Sequence, residues 1–142
     1  MERGAIYLAM NRYEEALADG QLLRQLAPDN KYGYTISGTA HMRLKEPQKA
    51  LEDFSECLAL FPNNDFALSK RGNLLLGFFG KYREALSDFT KAISINPKGD
   101  YYLGRSQCYY MIGDINHAKA DAQVVLQKGL SLPDDYRRIL NL

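Results

Sequence analysis

The phrase QKALEDF at residues 48–54 is written again as REALSDF at 83–89, with EEALAD at 14–19 and NHAKADA at 116–122 as further versions. The shared alanines, Ala16, Ala50, Ala85 and Ala118, lie 34, 35 and 33 residues apart. Pro28, Pro62 and Pro97 keep the same spacing, at 34 and 35 residues. Two independent markers with one period show internal duplication. A period of this size implies supersecondary units that bury their faces on one another in a stack.

Each unit reads as a helix–turn–helix. Within PQKALEDFSECLAL at 47–60, Ala50, Leu51, Phe54, Cys57 and Leu58 fall on one face of an α-helix. The third unit repeats that face with Ala85, Leu86, Phe89, Ala92 and Ile93. Both segments end at a proline turn, FPNND at 61–65 and INPKGD at 95–100. Proline has no amide donor and cannot continue a helix. The preceding segments, such as KYGYTISGTAHMRLK at 31–45, are also helical in pattern, with Tyr34, Gly38, His41 and Met42 along one side. Short breaks at Asn11–Arg12, Glu46–Pro47, Gly80–Lys81 and Gly113–Asp114 close the hairpins. The pattern predicts helices over 1–10, 13–26, 31–44, 47–60, 65–78, 81–94, 100–112 and 115–128, and no strand. Gly4, Gly38 and Gly72 sit inside leading helices, where glycine costs about 1 kcal/mol against alanine. The reason is packing: a missing side chain lets the paired helix approach, and Phe54 and Phe89 fill the space toward the neighbouring hairpin.

Composition narrows the function. The 142 residues are 46% apolar, 25% charged and 11% aromatic, the balance of a globular chain. Eighteen Lys and Arg against 17 Asp and Glu leave a net charge of +1, which gives nucleic-acid or membrane-surface binding no electrostatic support. The longest apolar run, residues 74–79, falls far short of the ~20 residues that span a bilayer. MERGAIYLAM at the start holds no signal-peptide core, so a cytoplasmic setting is expected. Cys57 and Cys108 read as reduced, packed thiols.

These residues resemble the tetratricopeptide repeat family, whose pattern is W-x2-L-G-x2-Y, then A-x3-F, then P. The second unit matches through Tyr34, Gly38, Ala50, Phe54 and Pro62, and the third through Leu68, Gly72, Ala85, Phe89 and Pro97. The first keeps Gly4, Tyr7, Ala16 and Pro28, with Gly20 at the aromatic position. The fourth keeps Tyr102, Tyr109 and Ala118, with Ser106 for the glycine and Ala122 for the aromatic. The resemblance implies an all-α, right-handed superhelical stack of antiparallel hairpins. It implies one repeat domain over 1–142, with units of about 1–30, 31–64, 65–98 and 99–132. The third unit carries an extra residue near 76–79, which widens its turn and leaves Phe78 and Phe79 either packed between hairpins or exposed as a contact. DDYRRILNL at 134–142 is either a closing helix over about 134–141, with Tyr136, Ile139 and Leu140 covering the last hairpin, or the start of a fifth unit.

In this family the leading helices line a concave groove that binds an extended peptide or a helix of a partner protein. Carried over by position, the groove candidates are Tyr32, Thr35, Thr39, Met42 and Arg43 in the second unit. The third offers Phe66, Ser69, Lys70 and Asn73, and the fourth Leu103, Gln107, Tyr110 and Met111. Hydroxyls and amides can bond a peptide backbone, while Tyr and Met supply apolar contact. Some members are co-chaperones that grip a C-terminal carboxylate with Lys, Arg and Asn. Here Thr35, Thr39, Asp100 and Leu103 stand at positions of that clamp, and Asp100 opposes a carboxylate.

Catalysis and cofactors find no footing in the sequence. His41 takes a packing position and His117 an outward one; the scattered Cys and His residues form no metal-ligand set. No phosphate-cradling loop or nucleophile–base pair can be argued. The expected function is a non-enzymatic adaptor or scaffold that binds protein or peptide, without nucleic acid, membrane insertion, metal or cofactor. The alternatives are a scaffold that self-associates into homo-oligomers through open repeat ends, and a targeting or co-chaperone module of a larger protein.

Overall fold

The computed structural model describes residues 3–142, and every regular element among them is an α-helix. In chain order these are α1 (Arg3–Ala9), α2 (Tyr13–Leu26), α3 (Lys31–Arg43), α4 (Pro47–Leu60) and α5 (Asp65–Gly77). There follow α6 (Tyr82–Ile95), α7 (Gly99–Ile112), α8 (Ile115–Gln127) and α9 (Asp134–Ile139). From α2 to α8 each boundary lies within one residue of its expected place. Of the helix expected over 1–10, residues 1 and 2 lie outside the described residues. The chain divides into two compact units, Met1–Ala67 and Leu68–Leu142.

Local chemistry sets the helix ends. Three hairpin turns close with a backbone bond from a residue back to the carbonyl five positions earlier: Arg12 to Tyr7, Glu46 to His41 and Asp114 to Tyr109. The α5–α6 turn closes with Lys81 bonding Leu75, one residue longer. The extra residue read from the sequence is therefore real, and it leaves Phe78 64% exposed and Phe79 half-buried. Between hairpins, Ala27, Phe61 and Asn96 each donate to the carbonyl four positions back, and the following proline ends the helix. Asn30 and Asn64 then start the next helix by accepting from the backbone N–H of Tyr32 and Ala67.

In the first unit, α3 packs against α1, α2 and α4 and buries Gly33 through Gly38, Ala40 and His41. Gly38 has the reason expected of it: a Cβ there would sit 2.8 Å from the tip of the Phe54 ring. In the second unit, α7 packs against α6 and α8. The Phe89 ring lies between two glycines, with one edge toward Gly72 of α5 and the other toward Gly104 of α7.

The last hairpin solves the same packing problem differently. Ala122 leaves the aromatic slot empty, and Ser106 stands where α3 and α5 carry glycine. The Ser106 hydroxyl donates to the Ala118 carbonyl at 2.7 Å and meets the Tyr136 hydroxyl, also at 2.7 Å. Tyr136 also meets Tyr110 edge-on at 5.8 Å, and Leu140 is fully buried in a cluster with Ala118, Ala122, Val125 and Leu132. Ile139, expected to help cover this hairpin, is instead 52% exposed, because the helix face that carries Tyr136 and Leu140 turns it outward.

Candidate functional site

Within the first unit the leading helices enclose a cleft of about 580 Å³. Ala5 and Leu8 of α1 and Ile36 of α3 supply apolar walls, and Tyr32, Thr35 and Thr39 line it from α3. Phe66, in the first turn of α5, completes it. These helices present one face because residues at three- and four-residue spacing, such as Tyr32, Thr35, Ile36 and Thr39, align along a helix. Ile36 is buried, whereas Tyr32 and Phe66 remain 51% and 40% exposed and form an aromatic rim. The Lys31 ammonium stands 5.6 Å from the centre of the Tyr32 ring. No Lys or Arg is among the lining residues. The cleft offers apolar contact, two aromatic edges and hydroxyls, the profile of a site for an apolar side chain on a polar backbone.

The structure thus brings together Tyr32, Thr35, Thr39 and Phe66 of the candidate groove residues. Thr35 is largely buried, and its hydroxyl bonds the Tyr32 carbonyl at 3.3 Å, so it is committed to its own helix. Met42 is half-buried and Arg43 exposed at the other end of α3, outside the cleft lining. In the second unit, Asn73 and Met111 are exposed, and Lys70 and Gln107 half-buried. Ser69 is 5% exposed, which corrects its reading as a groove-facing side chain: it lies on the packed side of α5. Leu103 and Tyr110 pack on the cluster beneath α9 and are spent partly on core.

A profile described as tetratricopeptide repeat matches residues 32–64, and a second of the same description matches 68–98. Those stretches coincide with α3–α4 and α5–α6, and each holds the glycine–aromatic pair just described. The chain carries tetratricopeptide repeats. It is 36% identical over 63 residues to the Hsp70-Hsp90 organizing protein of Triticum aestivum; the match covers 44% of this chain and spans 11% of that relative's length. Among solved structures it resembles MamA, with a TM-score of 0.78 and 22% identity, covering 92% of this chain and 75% of the other. It also resembles the first TPR of Spaghetti (RPAP3) bound to HSP90 peptide SRMEEVD. There the TM-score is 0.74 and the identity 23%, over 79% of this chain and 89% of that one.

The repeat protein also holds a polar ladder that the motif reading missed. Arg71 makes two hydrogen bonds to Asp88, at 2.8 and 2.9 Å, and Arg105 makes the same pair to Asp121. Arg3 and Asp19 repeat it in the first hairpin at 2.6 and 2.8 Å. Each joins a leading helix to its partner helix, and the bond to the carboxylate raises the pKa of Arg71 and of Arg105. The second hairpin has Ser37 in the arginine's register. There Asp53 accepts from Ser37 at 3.0 Å and from Arg24 of α2 at 2.8 Å, and meets His41 Nδ1 at 2.6 Å. Arg24 also pairs with Glu56. The signal was present as Arg3, Arg71 and Arg105 at multiples of 34 residues, opposite the aspartate of every repeated phrase.

His41 is therefore a packed residue with a polar anchor. His117, exposed, stacks on Tyr109 at 5.0 Å and pairs with Asp114. Cys57 and Cys108 are buried and unpaired with one another. Burial pushes the Cys108 thiol up to about 12. Among the described residues no helix is long and apolar enough to cross a membrane, and no three His, Cys, Asp or Glu side chains group as a metal site.

Proposed function

We propose that this protein is a non-enzymatic interaction module that binds an extended peptide or a helix of a partner protein. The cleft between α1, α3 and the start of α5 takes an apolar side chain of that segment. The observation that carries this reading is the exposed pair Tyr32 and Phe66 beside an apolar floor. Exposed aromatics at the mouth of a pocket are the usual anchors of peptide recognition. The family supports it, as does the likeness to an organizing protein of chaperones and to a repeat domain bound to a peptide. The cleft lining lacks Lys and Arg, so the segment it takes is apolar rather than acidic. Thr39 stays in this proposal as a further contact of the cleft, and Asn73 as a separate candidate contact on the second unit. So does the division of one binding domain into units of about 1–30, 31–64, 65–98 and 99–132.

The test is a random peptide library displayed on phage and selected against the whole chain. Selected peptides are expected to share a large apolar residue. Tyr32→Ala combined with Phe66→Ala should weaken them by at least about ten-fold, which corresponds to about 1.4 kcal/mol. Both residues are exposed, so the melting temperature should hold. Selected peptides that bind the double variant and the parent chain equally would remove the cleft from the proposal.

A further inference from the structure

The one-residue enlargement of the α5–α6 turn has a chemical consequence in the second unit. It places Phe78 at the surface, 64% exposed, where a phenyl ring gains nothing from water. Two residues on, Gly80 and the segment through Glu84 form a cleft of about 370 Å³ together with Ile112, from the end of α7. Met111 and Ile115 flank Ile112 at 48% and 39% exposure. The α5–α6 and α7–α8 turns thus each expose apolar side chains, Phe78 on the first and Met111 and Ile115 on the second, and the cleft joins the first turn to Ile112.

Charge singles out the occupant. Lys81 and Arg83 are exposed on the cleft rim, and their side chains have no ion-pair partner among the described residues. Of the nearby carboxylates, Glu84 lines the same cleft but faces two cations there, Lys81 and Arg83, and Asp114 holds His117. The whole second unit carries eleven Lys and Arg against seven Asp and Glu, a net charge of +4. Such a field draws anionic segments and disfavours cationic ones. A largely exposed aromatic near two cations without ion-pair partners matches the anatomy of a small anchor with a charged rim.

We propose that the turn end formed by residues 78–84 and 111–115 is a second docking surface. It takes an internal acidic segment of a partner protein that carries one bulky apolar residue. Phe78 is the anchor, Ile112 the floor, and Lys81 and Arg83 pair with the segment's carboxylates.

The probe is a fluorescein-labelled, C-terminally amidated peptide with one central phenylalanine flanked by glutamates, read by fluorescence anisotropy on the whole chain. Amidation removes any terminal carboxylate, so binding reports the internal segment. Wild type is expected to bind, with affinity falling as salt rises. Phe78→Ala, and separately Lys81→Glu with Arg83→Glu, should each weaken binding at least about ten-fold. Tyr32→Ala with Phe66→Ala should leave it unchanged, so failure here and failure of the first-unit cleft are distinguishable. All these positions are exposed, and unchanged circular dichroism confirms folding. The proposal is overturned by absent binding up to about 1 mM, by equal affinity of the Phe78→Ala chain, or by loss through Tyr32 and Phe66 instead. It is also overturned if sedimentation shows a wild-type dimer that Phe78→Ala dissolves, since the face would then join two copies.

Discussion

Phe89 offers the strongest test of how these hairpins are held. Its ring is 1% exposed, and both flanking helix positions are glycine. A Cβ added at Gly104 would fall 2.4 Å from two ring atoms, and one at Gly72 would fall 2.9 Å from the opposite edge. The ring therefore cannot step away from one helix without striking the other. Removing it leaves a void that no neighbouring side chain can enter, so Phe89→Ala should cost about 4 kcal/mol, within the range for buried aromatics. That is a large share of a typical domain's stability. Phe89→Leu supplies a milder variant, expected to lose less because it keeps part of the filling volume.

The sharper consequence is a change of sign. In the parent chain, Gly104→Ala should destabilise, because an overpacking cost toward the upper end of about 1–3 kcal/mol outweighs the roughly 1 kcal/mol that alanine gains over glycine in a helix. With Phe89→Ala already present, the clash is gone, and the same substitution should stabilise by about 1 kcal/mol. Urea unfolding of the four chains of this cycle, followed by circular dichroism, measures the coupling. Equal effects of Gly104→Ala in both backgrounds, or a loss below about 1 kcal/mol for Phe89→Ala, would refute the sandwiched ring.

Two further outcomes follow from buried polar and thiol groups. Arg105→Met strands Asp121, only 5% exposed, and should cost about 3 kcal/mol; replacing Asp121 with Leu as well should recover most of it, since an apolar pair suits such a site. For Cys108, burial raises the folded thiol to about 12 from an ordinary 9, so its contribution to stability is full below pH 9 and is lost as pH rises from there toward 12. Cys108→Ala should flatten that alkaline decline, and the native thiol should resist a disulfide reagent at neutral pH until urea exposes it.

Much of this architecture could be read from letters because repetition supplies its own control. One amphipathic stretch such as 47–60 only suggests a helix, whereas four in phase, three of them followed by a proline at the same offset, fix the hairpin, its turn and its period. Gly38 and Gly72 were legible for the same reason: an internal glycine is costly unless something large needs its place, and Phe54 and Phe89 stood at the right offset. The inserted residue near Phe78 was legible as a break in the period. Side-chain direction was harder. Ser69 looked like a groove residue by position but lies buried, and Thr35 lines the cleft with its hydroxyl already bonded to its own helix, since a helix in a stack has packed neighbours on more than one side. The Arg–Asp ladder was not legible in the apolar pattern because it lies outside that period, and Ser37 interrupts the arginine series of positions 3, 71 and 105. Ile139 failed for want of a register to place it: a six-residue helix has too few turns to show its buried face in the sequence.

The fourth hairpin shows what the repeat requires. It has neither the glycine nor the phenylalanine that the second and third use, yet its interior is closed. Ser106, Ala122 and Tyr136 replace them together, with the Ser106 hydroxyl satisfied by the Ala118 carbonyl and the Tyr136 hydroxyl. Tyr136 stands 34 residues after Tyr102, so α9 occupies the phase of a leading helix. In that phase Leu140 falls on the glycine position, where a side chain of its size could not fit if a phenylalanine were there. A small residue on the second helix obliges the next helix to bring the bulk, and a large one obliges it to bring none. The constraint acts on the filled volume between helices and not on particular letters: where Gly20 replaces the phenylalanine and Gly4 stays, Ile36 of α3 packs against both glycines.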